Sequence, residues 1–117
     1  MMAKMDGALS SPTASQSLET MYGLIGKIRA VPGQRDALAA ILLRGMAGMP
    51  GCKSYMVAED LEDSDALWVT EVWDSQESHV ASLSLPSVQD AIREGRPVIA
   101  EFSQRTETNV LGGHGLT

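Results

Sequence analysis

One short stretch holds most of the residues that could carry out chemistry. The segment ALWVTEVWDSQESH, at positions 66–79, contains Glu71, Trp73 and His79. If the stretch begins as a strand, Glu71 and Trp73 share one face, because side chains alternate along a strand. A desolvated carboxylate beside an aromatic ring can act as a base, and an imidazole can transfer protons near neutral pH. The stretch therefore predicts a proton-transfer group at the wall of an aromatic-lined pocket.

The same residue types also have purely structural explanations. Buried tryptophans mostly serve packing, and Glu71 could instead form an ion pair with Lys27 or Arg29 across the sheet, as buried carboxylates usually do. A single histidine without a nearby partner is a weak signal for catalysis. Tyr55 and Arg96 could orient an acidic or phenolic ligand, although a cation is favoured at a helix end in any case.

A run of acidic residues, DLEDSD at positions 60–65, raises the question of a calcium site. An EF-hand loop needs glycine at its sixth position and glutamate at its twelfth. Counted from Asp60, these positions hold Asp65 and Glu71, and Glu71 belongs to a predicted strand. We therefore interpret the run as a solvated turn, and we find no metal-ligand cluster or phosphate-binding glycine motif.

Composition narrows the class of protein. The 117 residues suit one domain, and the net charge of −6 argues against a nucleic-acid partner. No apolar stretch approaches the 18 residues of a membrane span, so we expect no membrane association. A single cysteine, Cys52, excludes an internal disulfide and fits a reducing cytoplasm.

Hydrophobic periodicity predicts the elements that position these residues. Strands are predicted at 21–30, 52–59, 66–73 and 103–111, and helices at 34–47, at 75–83 and from Pro86 to about 95. The apolar residues at 98–102 are predicted to form a further helical turn. Residues 1–20 are expected to be a disordered N-terminal extension, residues 21–111 the folded domain, and residues 112–117 a tail.

The predicted order β-α-β-β-α-β is that of the ferredoxin-like α+β fold. It places the first and third strands in the middle of an antiparallel sheet with the helices on one face. The opposite face keeps apolar side chains that nothing else in the chain can cover. We therefore expect a homodimer that closes over this face.

The segment from Tyr22 to about Val110 resembles the antibiotic biosynthesis monooxygenase (ABM) domain, a dimeric α+β barrel. Four features carry the resemblance, and they occur in the family's order: PGQ at 32–34 before an amphipathic helix, MPGC at 49–52 leading into Tyr55, EVWDS at 71–75, and Pro86 within LSLPSV at 83–88.

The resemblance implies a cofactor-independent monooxygenase that acts on a quinol or on a phenolic, polyketide-like aromatic. Trp73 would form a pocket wall, His79 or Glu71 would be the base, and Tyr55 and Arg96 would orient the substrate. Because the substrate anion itself reduces oxygen in such members, no cofactor is expected.

The sequence departs from the family pattern at its histidines. Many members carry a histidine about nine residues after the tryptophan and another just after the proline, where this chain has Ser82 and Ser87. This departure favours a second hypothesis, a non-catalytic dimeric module that binds a small aromatic. A third hypothesis, an isomerase of a small phosphorylated metabolite, is disfavoured by the scarcity of basic residues expected near the pocket.

Overall fold

The computed structural model describes residues 20–116, which form a four-stranded antiparallel sheet with helices on one face. The strand order is β2-β3-β1-β4, so the first and third strands are central, and the predicted ferredoxin-like α+β fold is confirmed. The elements in chain order are β1 (Met21–Ala30), α1 (Arg35–Gly45), β2 (Cys52–Glu59), β3 (Ala66–Trp73), α2 (Gln76–Ser82), α3 (Pro86–Gly95), a 3-10 turn (Arg96–Val98) and β4 (Ile99–Val110).

The core lies between the sheet and the helices. Leu38 and Leu42 of α1 pack on Leu67 and Val69 of β3, and all four side chains are buried. A second cluster joins the end of β3 to α3. The alternation of buried and partly exposed residues along β3 follows from the two-residue period of a strand, which aims every second side chain at the helices.

The acidic loop between β2 and β3 is a hydrogen-bonded turn. The Asp60 carboxylate accepts backbone N–H bonds from Glu62 and Asp63, at 2.8 and 2.9 Å. The Arg35 guanidinium donates to the carbonyl oxygens of Asp60 and Asp63 and so ties the loop to α1. The loop residues thus serve the fold, and among residues 20–116 no group of three or more potential metal-ligating side chains occurs.

The predicted helical turn at residues 98–102 is wrong. The 3-10 turn ends at Val98, and β4 begins at Ile99 and pairs with Ala30 of β1. The backbone N–H of Val31 donates to the carbonyl of Val98 at 2.8 Å, which fixes the turn against the sheet. Pairing with the central strand overrides the weak local preference of these apolar residues.

The described part of the chain begins at Thr20 and ends at Leu116. The disordered extension predicted for residues 1–20 lies, apart from Thr20, outside the described residues. Within residues 20–116, no helix is both long and apolar enough to cross a membrane.

Candidate functional site

The structure brings Glu71, Trp73 and His79 together at the end of β3. The Trp73 indole N–H donates to Glu71 Oε1 at 2.9 Å, and His79 Nε2 lies 3.9 Å from the same oxygen. The His79 ring meets Trp73 edge-on, with 5.4 Å between ring centroids, and lies 5.6 Å from the ring of Tyr22. A carboxylate is thus held between an indole donor and an imidazole.

A tight strand-to-helix junction places His79 beside Trp73. Ser75 caps α2 by accepting a bond from the Ser78 backbone N–H at 3.1 Å. Gly51 lies directly against this junction with a φ of 82°, and a Cβ on it would come 2.6 Å from Ser78 Oγ. The MPGC segment therefore needs glycine here, both for its backbone conformation and for this close approach.

Burial raises the pKa of Glu71, and its surroundings partly oppose that effect. The Trp73 N–H bond acts most strongly in lowering the pKa of Glu71, followed by the charges of His79 and Arg105. The Glu71 side chain retains only 14% of its exposure. A carboxylate with a raised pKa is better suited to accept a proton from a weak acid than an ordinary surface glutamate.

The interpretation that Glu71 pairs with Lys27 or Arg29 is wrong. In the sheet register Glu71 lies opposite Leu24, so it shares a face with the even-numbered residues of β1. Lys27 and Arg29 point to the other face, where Lys27 lies 3.7 Å from Asp60. Arg29 pairs with Asp63 at 2.6 Å. The alternation of a strand separates these cations from Glu71.

A cleft of about 750 Å³ lies between the helix-facing side of the sheet and the helices α1 and α3. Glu71, Tyr55 and Arg96 line it, together with apolar side chains from β1, α1 and α3. Burial, followed by the nearby charge of Glu71, strongly raises the pKa of Tyr55, so its hydroxyl stays protonated and can donate a hydrogen bond. The volume is typical of small-molecule pockets.

Trp73 and His79 contact Glu71 but do not line this cleft. Trp73 is 1% exposed and packs against Met49 and Val88 in the core. Of the five residues predicted for the site, three therefore line the cleft and the other two contact one of those three.

Sequence reasoning missed two residues that shape the cleft. Arg105 of β4 lines it, and so does Gly26 of β1, its cross-strand partner. A Cβ on Gly26 would meet nothing closer than 3.6 Å, so the absent side chain leaves space on the floor of the cleft. A glycine inside a strand is the signal that could have revealed this open floor, because it marks a place where a ligand can come close to the backbone.

Comparison with known proteins identifies the class to which this arrangement belongs. The family model for antibiotic biosynthesis monooxygenase matches residues 21–94, and the chain belongs to this family. Membership supports a monooxygenase-like function. A search of curated proteins found no match.

Solved structures agree with this assignment. The chain is 67% identical to a candidate antibiotic biosynthesis monooxygenase from Chloroflexus aurantiacus, with a TM-score of 0.82 and coverage of 83% of this chain and 99% of that one. Two more distant structures share the fold. A protein from Pseudomonas aeruginosa is 21% identical over 80% of this chain and 94% of its own, with a TM-score of 0.65. A candidate monooxygenase from Nitrosomonas europaea is 13% identical over 83% and 94%, with a TM-score of 0.69.

Proposed function

We propose that the chain is a cofactor-independent monooxygenase that oxidises a quinol or phenolic aromatic in the cleft between sheet and helices. The observation that carries the proposal is a mostly buried carboxylate with a raised pKa, Glu71, in the wall of a largely apolar cleft of about 750 Å³. Such a cleft accepts an aromatic ring and presents a buried proton acceptor to it.

The proposed reaction begins with transfer of the phenolic proton to Glu71. The resulting carbanion-like anion transfers electrons to molecular oxygen. An activated CH₂ gains one oxygen atom and loses both of its hydrogens to become a carbonyl. At a ring CH, the carbon gains the oxygen and loses its one hydrogen, and the second hydrogen is the phenolic proton, so that a quinone forms. In both cases the second oxygen atom leaves with the two hydrogens as water. Tyr55 donates a hydrogen bond to the substrate oxygen and Arg96 attracts the anion, while the apolar walls exclude bulk water.

His79 serves this reaction indirectly in the proposal. Its Nε2 lies 3.9 Å from Glu71 Oε1, and His79 does not line the cleft, so in the proposal it acts on the substrate through Glu71. Its position favours the ionised form of Glu71. We therefore assign His79 as a positioning residue and Trp73 as the donor that fixes the Glu71 oxygen.

A panel of naphthols and quinols under oxygen tests the proposal. We expect at least one compound to give oxygen uptake and a product that carries one atom from ¹⁸O₂. Gly26→Val should abolish this uptake because the added methyl groups fill the cleft floor, while valine suits a strand. Gly26→Ala adds only one methyl and is the matched control, with weaker inhibition. If no compound reacts, or if Gly26→Val reacts as fast as the wild type, the cleft is not an oxygenase site.

We also propose that the protein is a homodimer in which a second copy covers the face of the sheet opposite the helices. That face exposes Ile25 and Met56 and contains Trp68, whose ring lies under the Lys27 ammonium. Light scattering should give a molar mass twice the 12.5 kDa of one chain, and Ile25→Lys should reduce it to that of one chain. A single-chain mass for the wild type would exclude this dimer.

The unpaired Cys52 supports a cytoplasmic location for the protein, because free thiols persist in a reducing compartment.

The non-catalytic binding module is the second candidate function. The buried Ser82 hydroxyl donates to the His79 carbonyl of the same helix at 2.6 Å, and Ser82 does not line the cleft, so this position supplies no group to it. In the panel assay, saturable binding of an aromatic without oxygen uptake would favour this function.

A further inference from the structure

We infer that the cleft selects aromatic ligands that carry a carboxylate, and that Arg96 and Arg105 bind that carboxylate. The inference rests on the proposed function only in taking the ligand to be an aromatic of the size of the cleft. Arg96 begins the 3-10 turn after α3, and Arg105 lies on β4, so two separate elements bring their cations to one space.

The ion pairs of the described residues set these two arginines apart. Arg29, Arg35, Arg44 and Arg93 each lie within 4 Å of a carboxylate. Across residues 20–116, Arg96 and Arg105 are the arginines that form no such pair, and both line the cleft. Both side chains are exposed, and the charge of Arg105 also acts on Glu71. In a chain of net charge −6, two arginines that line one cleft with no carboxylate within 4 Å favour an anion that comes from outside the chain.

The charges of the cleft favour a monoanion. Four charged side chains line it: Glu71, Arg96, Glu101 and Arg105. Arg29, which contacts Asp63, also lies 3.5 Å from the Glu101 carboxylate through its Nε. With both glutamates ionised, the four lining charges sum to zero, so a carboxylate adds one negative charge to the cleft, whereas a phosphate dianion adds two.

Position also separates this anion from the reacting end of the ligand. Arg105 lies opposite Gly26 in the sheet register, where the floor of the cleft is open. A ring over Gly26 can therefore direct one substituent towards Glu71 and another towards the arginines. Guanidinium groups accept carboxylates through paired N–H donors, which gives orientation as well as attraction.

Calorimetric titration of the purified wild-type protein with three probes tests the inference: 6-hydroxy-2-naphthoate, 2-naphthol and 2-naphthyl phosphate. We expect the hydroxynaphthoate to bind about tenfold or more tightly than the naphthol, since a bond to a charged group is worth that much. Arg96→Gln and Arg105→Gln should each reduce this preference several-fold, and the double variant should remove it. The affinity for 2-naphthol should fall less than the affinity for the hydroxynaphthoate in all three variants, because 2-naphthol lacks the carboxylate that the two arginines bind.

Arg93→Gln is the matched control, because Arg93 is an exposed arginine at the end of α3 whose partner is Asp90. It should keep the full preference for the hydroxynaphthoate. Equal affinity of the wild type for hydroxynaphthoate and naphthol, or a preference that survives the double variant, overturns the inference. Tighter binding of the naphthyl phosphate also overturns it, in favour of a phosphorylated ligand.

The titration separates this inference from the proposed oxygenase function. Arginine-dependent binding without oxygen uptake would leave the carboxylate site standing and remove the oxygenase. Oxygen uptake with no preference for the carboxylate would do the reverse.

Discussion

Replacement of Glu71 by glutamine is expected to lower the turnover of the oxidised aromatic by about 10²–10⁴-fold, the usual contribution of a general base. The substitution preserves the size of the side chain, and its amide oxygen can still accept the Trp73 indole bond. The loss should therefore be in catalysis, with the fold and the affinity for the aromatic retained. Oxygen uptake measures the loss of turnover, and circular dichroism of the same sample measures whether the fold is retained.

The pH dependence of wild-type turnover should also identify Glu71 as the base. Glu71 accepts a proton only when it is ionised, and burial raises its pKa above the ordinary value of 4.5. Activity should therefore fall as the pH drops, with a midpoint higher than for a surface glutamate. Because the charges of His79 and Arg105 lower the pKa of Glu71, His79→Gln and Arg105→Gln should each move that midpoint to higher pH.

A control variant and a comparison of Glu71→Gln with His79→Gln test the assignment of Glu71 as the base. Glu62→Gln makes the same chemical change on an exposed loop residue and should leave turnover and its pH midpoint unchanged. If Glu71→Gln and His79→Gln both turn over at the wild-type rate, the base is elsewhere. If only His79→Gln is inactive, with no displaced midpoint in the pH profile, then His79 itself is the base.

Truncation of Trp73 to alanine should cost about 3–5 kcal/mol of the free energy of unfolding, the range for large aromatic side chains in cores. Trp73 is 1% exposed and anchors a cluster with Met49 and Val88. Its loss also leaves the Glu71 carboxylate without its indole donor. Because a domain of this kind has about 5–15 kcal/mol of stability in total, this loss is a large fraction of it.

Urea denaturation followed by circular dichroism measures this cost, and Trp73→Phe provides the matched comparison. Phenylalanine keeps a ring in the cluster but removes the N–H, so it should cost clearly less than alanine. A loss below about 1.5 kcal/mol for Trp73→Ala would contradict a core role, because that is the range of volume-conserving swaps.

The strands were predictable from the sequence because their periodicity is strong. β1, β2 and β3 begin and end where alternation and the flanking Pro, Gly and Asp residues place them. The start of β4 was not predictable, since Val98 and the residues after it are apolar without clear alternation. Only their pairing with β1 makes them a strand.

The candidate site was predictable in part for a related reason. Glu71 and Trp73 are two residues apart on one strand, so their proximity follows from local geometry alone. Arg105 is 34 positions further along the chain, on a strand whose polar residues give no sign of which face meets the helices. The contact between His79 and Glu71 depends on the angle at which α2 leaves β3, and sequence periodicity does not encode that angle.

The strand order has a consequence for how the chain is made. Met21 pairs with Val110 and Ala30 pairs with Ile99, so the first strand of the domain cannot complete its hydrogen bonds until the last strand has been synthesised. On the ribosome, β1, β2 and β3 can associate while one edge of β1 still has free backbone donors and acceptors. The wall that carries Arg105 is synthesised after that, and closing so long a loop is slow. The cleft is therefore the last part of the domain to be completed during synthesis, and until then the nascent chain presents an open central strand on which aggregation can begin.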